Sequence, residues 1–288
     1  MADFELLAAR AQEPIEYGPY DRWPCPDGTD FSIFYRSSDG YVLRFPNLAD
    51  FEIAADSFFV RCTPAPSVPE ESVAHLYRNQ ILPLILSKKG KLVLHGSAVD
   101  AAGSAVAFLG ASGRGKSTLA ASFAVDGCPF LTDDGLVLEP ANSGYLVMPG
   151  HRSLRLWEDS RDALLPRDTP TAPTVHYTTK CHFVAGSKLG FCDQPRPLRA
   201  IYLLGEGKAG DVAIQRINSA PALASLLQHS FILDVGDRPG IGAHFDRLAK
   251  LANEAICFHL DYPRCYESLP AVLRAIRTHA ASLKGCLS

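Results

Sequence analysis

The octapeptide Gly110-Ala-Ser-Gly-Arg-Gly-Lys-Ser117 constrains this chain more than any other segment, because it satisfies G-x-x-x-x-G-K-[ST] in full. At average residue usage, a chance match in a chain of 288 residues is expected on the order of one time in a hundred. Its setting argues further against accident. SAVAFLG before it reads as an apolar strand and STLAASFAV after it as a helix, which is the strand–loop–helix context the motif needs. Gly110, Gly113 and Gly115 let the backbone wrap closely around phosphate. The loop amides, with the positive helix end at Lys116–Thr118, are then expected to cradle anionic oxygens. Lys116 is expected to reach the β- and γ-phosphates, and the Ser117 hydroxyl to coordinate Mg²⁺. The expected nucleotide segment is therefore Gly110, Ala111, Ser112, Gly113, Arg114, Gly115, Lys116, Ser117 and Thr118; ATP and Mg²⁺ are the expected cofactors, the loop itself not distinguishing ATP from another nucleotide.

A phosphate loop specifies a nucleotide, not a reaction. The second clue is Leu131-Thr-Asp133-Asp134-Gly, one helix and one short strand further on. If CPFLT is that strand, both aspartates lie at its C-terminal end, the edge where open α/β sheets bind ligands. One carboxylate there can hold Mg²⁺ with Ser117, and the other can take a proton from an incoming hydroxyl. Thr-Asp-Asp-Gly is also good turn chemistry. His95, in LVLHGSAVD, is on spacing alone a satisfied core histidine before it is anything else. Arg152, Arg155 and Lys180 are basic candidates for offsetting charge on a transferring phosphoryl group. Arg155 and Lys180 are preferred because each follows a turn-like segment. Glu158 and Asp159 offer one further carboxylate for a metal.

Composition narrows the class of protein. The chain is 47% hydrophobic and 20% charged, with a formal net charge of −3, as expected of a globular protein with an ample core. No basic stretch is present, so nucleic acid is not the expected partner. No apolar run reaches membrane-spanning length, and the first residues lack the pattern of a secretory signal. Neither a membrane partner nor export is expected. The eight cysteines, at 25, 62, 128, 181, 192, 257, 265 and 286, show no metal or disulfide spacing and read as free thiols of a cytoplasmic protein.

Along the chain, residues 1–30 read as an irregular arm with one short helix at Phe4–Ala11. SIFYRS, YVLRFPN, FEIAAD and SFFVRCT read as a small antiparallel sheet. TPAPSVP is a linker. A helix is expected over Glu70–Leu86 on the recurrence of Val73, Leu76, Ile81 and Leu84, kinked or stopped by Pro83. An α/β pattern follows. KLVLHGSAVDA and SAVAFLG are strands joined by Ala-Gly, and CPFLT and GLVLEP are further strands. LRAIYLLGE has VAIQRI as its expected partner. Ala220–Gln228 and Gly242–Ala252 read as helices, AICFHLD as a strand, and Ser268–Lys284 as a closing helix. The expected division is a β-rich module at 1–68 and an α/β domain at 69–288.

His95-Gly96, the loop at 110–117 and Asp133-Asp134 resemble, in order and spacing, the catalytic core of HPr kinase/phosphorylase. Gly110 lies 15 positions after His95, and Asp133 lies 23 after Gly110. The resemblance implies an α/β fold of the phosphoenolpyruvate-carboxykinase/HPr-kinase type with a P-loop nucleotide-binding domain. It implies Asp133 as general base on a serine hydroxyl, His95 beside it, Asp134 with Ser117 as the Mg²⁺ site, and Lys116 on the triphosphate. It is specific over Lys91 to Glu139. The Glu-Ile-Arg-Gly and Pro-Gly-Arg-Asn segments of that family have no counterpart here, so the carrier protein HPr and the reverse, phosphorolytic reaction are not implied. YVLRFPNLADFEI, PGHRSLRLWEDS, PLRAIYLL and YPRCYESLPAVLRAI resemble a divergent branch connected with lasso-peptide biosynthesis. Members of that branch are understood to phosphorylate a precursor peptide at or near a C-terminal serine. The expected function is thus ATP-dependent phosphorylation of a serine on a peptide or small protein. The alternatives are a nucleotide-hydrolysing switch and a binding protein without an acceptor, and homo-oligomerisation is left open.

Overall fold

In the computed structural model, residues 3–283 are described, apart from 26, 167, 168, 170, 172–174, 176–179, 187, 188 and 255. The chain forms two compact units that divide at Lys89/Gly90. It is mixed α/β, with a β-rich N-terminal region.

The first unit carries a six-stranded sheet in the order β1-β6-β5-β4-β3-β2. Its strands are β1 (Asp3–Leu6), β2 (Asp21–Pro24), β3 (Asp30–Arg36), β4 (Gly40–Phe45), β5 (Ala49–Ala54) and β6 (Phe59–Pro64). Alternation builds its core. Tyr41, Leu43 and Phe45 of β4, and Phe51 and Ile53 of β5, are buried while their neighbours are more exposed. The arm departs from expectation. Phe4 lies in a strand, not a helix, because Asp3–Leu6 pairs in parallel with Phe59–Cys62. Four residues of mixed character carry no period strong enough to choose between the two forms.

The helical segment runs past its expected end as α1 (Glu70–Leu76), a π-helical turn (Tyr77–Ile81) and α2 (Leu82–Lys88). Pro83 does not stop it, and stands in the first turn of α2. The wider turn immediately before the proline absorbs the missing hydrogen bond. Val73, Leu76, Ile81 and Leu84 are all buried, as their spacing requires.

The second unit is built on a sheet ordered β11-β10-β7-β8-β14-β16-β15, with β9 also on β7. The strands are β7 (Leu92–Ala101), β8 (Ser104–Leu109), β9 (Phe130–Thr132), β10 (Gly135–Pro140), β11 (Tyr145–Met148), β14 (Arg196–Leu204), β15 (Ala213–Arg216) and β16 (Cys257–Asp261). A separate pair, β12 (Ser153–Leu156) and β13 (Cys181–Val184), lies off the main sheet. The β7–β8 hairpin turns at Ala102 and Gly103, both with positive φ, as a tight two-residue hairpin requires. β15 pairs antiparallel with β16, not with β14 as its place in sequence suggests. β14 is already flanked by β8 and β16 in parallel.

Successive residues of the central strands feed two cores. Val106, Phe108, Tyr202 and Phe258 point to one face, and Ala105, Ala107, Ile201 and Cys257 to the other. Helices α3 (Lys116–Val125) and α7 (Leu269–Ser282) cover the first face through Phe123, Val272 and Ile276. Helices α5 (Ser219–Gln228) and α6 (Arg238–Asn253) cover the second through Leu226 and Leu248. The near-continuous apolar run of β8 follows from burial on both faces. A short helix, α4 (Glu158–Leu164), follows β12. The expected end of the closing helix at Lys284 lies outside the described residues, as does the turn just before Lys180. Among the described residues, no helix is long and apolar enough to cross a membrane.

Candidate active site

β8, β14 and β16 run parallel, so their C-terminal ends meet at one edge of the sheet, where crossover loops leave room for a ligand. The phosphate loop leaves β8 at that edge. Gly113 and Gly115 take left-handed φ values of 81° and 89°, a conformation that costs other residues about 1–2 kcal/mol. Gly115 caps α3 with no side-chain hydrogen bond. Among the described residues, the amides of Gly113, Gly115, Lys116 and Ser117 donate to no backbone carbonyl. Such a nest of open donors at a helix N-terminus suits an anion. The Lys116 side chain is buried and folds back, its Nζ donating to the carbonyls of Gly110 (2.7 Å) and Ala111 (3.2 Å). Burial pushes its pKa down, Asp134 and Asp133 act in the opposite direction, and Lys180 adds to the fall.

The two aspartates leave β9 in different directions. Asp134 has φ 68°, a left-handed non-glycine residue of the kind that persists where surrounding contacts enforce it. Asp133 turns toward the loop. Its Oδ1 accepts from Ser117 Oγ at 2.9 Å and Ser97 Oγ at 2.6 Å, and its Oδ2 from the Arg155 amide at 3.2 Å. Asp134 is buried and carries the Arg155 guanidinium in an ion pair. Sequence expectation paired Ser117 with Asp134; the serine hydroxyl meets Asp133 instead. The turn reading holds as well, since the Gly135 amide donates to the Asp133 carbonyl at 3.0 Å.

Electrostatics separate the pair. Burial and the neighbouring Asp134 charge raise the pKa of Asp133, against the hydrogen bonds from Ser97 and Ser117 and the charge of Arg155. Burial also disfavours ionisation of Asp134, but Arg155, with His95 and Lys180, outweighs it and holds that carboxyl below the usual range. Burial lowers His95 to about 4, so its ring is neutral near pH 7. His95 interacts electrostatically with Asp134, the aspartate that resemblance did not assign to it.

A cavity of about 380 Å³ opens over these groups. His95, Lys116, Asp134, Arg155 and Lys180 are among the residues that line it, with the Lys180 ammonium 5.3 Å from the centre of the Trp157 ring. Arg152 does not join them; its guanidinium lies over Phe191 at 5.3 Å. Glu158 is exposed and pairs with Arg161 at 3.3 Å. Asp159 lines the cavity but accepts from the Tyr266 hydroxyl at 2.7 Å. Tyr266 also meets Ser160, and Ser160 meets Thr118, each at 3.1 Å.

Sequence reasoning missed Ser97, Ser160, Tyr262, Arg264 and Tyr266. Three of these left a usable signal, Tyr262 because it directly follows the last residue of β16. Ser97 shares a strand face with His95 by period-two alternation, and Arg264 follows a strand ending at the same sheet edge. Ser160 and Tyr266 left none, because only tertiary contact brings them together. Among the described residues, no three His, Cys, Asp or Glu side chains gather as a metal cluster. Mg²⁺ needs less, one or two carboxylates together with phosphates and water. The open amides, Lys116 and the Ser117–Asp133 contact fit a nucleotide with such an ion.

No protein-family model and no curated protein matches this chain. One solved structure similar to part of it is described as the Hpr(Ser) kinase/phosphatase from Coxiella burnetii. That match has 12% identity and a TM-score of 0.26, and covers 56% of this chain and 92% of the other.

Proposed function

We propose that the protein is a P-loop phosphotransferase that moves the γ-phosphoryl group of ATP to a serine hydroxyl of a peptide or small protein. The observation that carries this reading is the division of labour between the aspartates. Asp133 sits against Ser117, and Asp134 lines the cavity beside Arg155, His95 and Lys180.

Bound Mg·ATP supplies the phosphoryl group, with its metal offsetting phosphate charge. Ser117 and Asp133 would hold the ion, as the loop serine and a nearby aspartate do in other P-loop enzymes. Lys116 exchanges two carbonyls for phosphate oxygens, an exchange that restores charge pairing to a buried ammonium. Arg155 and Lys180 balance the charge of the transferring group. Arg155 thereby loosens its hold on Asp134, and the freed carboxylate takes the proton of the serine hydroxyl. His95, neutral and beside Asp134, helps to orient that carboxylate. This assignment exchanges the roles that sequence resemblance implied for the two aspartates, because both oxygens of Asp133 are already engaged.

The acceptor class rests on sequence. Resemblance to the lasso-peptide branch makes a precursor peptide with a C-terminal serine the first substrate to try. Mass spectrometry of such peptides incubated with the protein and Mg·ATP should show a gain of one phosphate that Asp134→Asn slows by orders of magnitude. ADP formed with no phosphopeptide would favour a hydrolytic switch and overturn the kinase reading.

A further inference from the structure

The cavity is also lined by residues that the transfer chemistry does not use. Tyr262 and Arg264 follow β16 and line it, and the Arg264 guanidinium lies 4.0 Å from the centre of the Tyr262 ring. The cation is fixed on several sides. Its Nη2 donates to the Gly205 carbonyl at 2.8 Å. Asp261 lies 3.8 Å away, too far for a hydrogen bond, because that carboxylate is engaged elsewhere. It accepts from the amides of Gly207 (2.6 Å), Lys208 (3.0 Å) and Ala209 (3.0 Å). Gly207 has φ 81°, and a Cβ there would lie 2.3 Å from Arg264 Cγ. The loop after β14 is therefore shaped around the arginine stem.

We propose that the Arg264 guanidinium, held over the Tyr262 ring, is the platform on which the base of the nucleotide stacks. The proposal rests on the reading of this cavity as a nucleotide site. Two considerations direct it to the base. Arg264 adjoins the phosphate loop, since a Cβ on Gly115 would come within 4.0 Å of its Nη1. It also stands where β14 and β16 end beside the loop strand, so a nucleotide held by the loop has its nucleoside within reach. The phosphates already have Lys116 and the open loop amides. What Arg264 adds is a rigid plane. Guanidinium planes stack on nucleobases without reading their edges, and an ammonium cannot replace them in that role.

The test compares ATP with inorganic tripolyphosphate, both with Mg²⁺, by calorimetric titration of the full chain and of Arg264→Ala, Arg264→Lys and Lys116→Ala. The parent should bind ATP more tightly than tripolyphosphate. Arg264→Ala and Arg264→Lys should both weaken ATP about tenfold and tripolyphosphate less than about twofold. Retained tripolyphosphate binding also reports that a variant is folded, and the lysine variant stands in if alanine fails to fold. Equal loss for both ligands, with lysine restoring them, would make Arg264 a phosphate contact and overturn the platform. Unchanged ATP affinity in both variants would overturn it as well. If the parent binds neither ligand, or Lys116→Ala leaves tripolyphosphate binding intact, the nucleotide reading itself falls and the platform with it.

Discussion

Ser117 and Asp133, 16 residues apart, meet through a 2.9 Å hydrogen bond from hydroxyl to Oδ1 that ties the first turn of α3 to the end of β9. That contact directs one carboxylate of the acidic pair toward the phosphate loop and leaves the other to face the cavity.

Asparagine substitutions should therefore separate two functions. Asp133→Asn should abolish the gain in ATP affinity on adding Mg²⁺, measured by calorimetry. Asp134→Asn should leave that gain intact and lower phosphoryl transfer roughly 10²–10⁴-fold, the usual contribution of a general base. The opposite pattern would restore the roles that sequence resemblance implies.

The Arg155–Asp134 pair is only 13% and 9% exposed, so removing one partner strands the other. Arg155→Ala should cost roughly 3 kcal/mol in urea unfolding. The double variant Arg155→Ala/Asp134→Asn should recover much of that loss, because no buried charge is then left unmatched. A double variant no more stable than the single one would show that the pair contributes little.

His95 gives the fold an acid sensitivity whose sign is fixed. Its folded pKa, about 4, lies below the unfolded value of about 6.5. Between those values the unfolded chain binds the extra proton, so stability falls as pH is lowered from about 6.5 toward 4. At pH 5 the loss relative to pH 7.5 should be about 2 kcal/mol. His95→Gln should remove that part of the pH dependence in urea titrations, and an unchanged pH profile would refute the assignment.

Ser97 is fully buried, and its hydroxyl donates to Asp133 at 2.6 Å. Ser97→Ala removes one of the donors that stabilise a buried carboxylate, and should cost about 1–3 kcal/mol of unfolding free energy. The same substitution in Asp133→Asn should cost less, since the charge is gone. Equal costs in the two backgrounds would mean that Ser97 acts through packing alone.

The sequence by itself determined the phosphate loop, its strand and helix, and the presence of two adjacent carboxylates one strand later. These features are written in contiguous residues. Glycines license the left-handed turns at 113 and 115, and apolar runs mark the doubly covered strands. It also determined the small antiparallel sheet, through period-two alternation in β4 and β5. Tertiary structure alone decided which carboxylate meets Ser117, because the left-handed backbone at Asp134 divides the pair and contacts from β7 and β12 orient it. It likewise decided that β15 joins β16 rather than β14, that the arm becomes two strands, and that Arg264 and Tyr266 reach the cavity. Each of those outcomes depends on groups brought together from distant parts of the chain, and a local pattern of residues carries no record of such contacts.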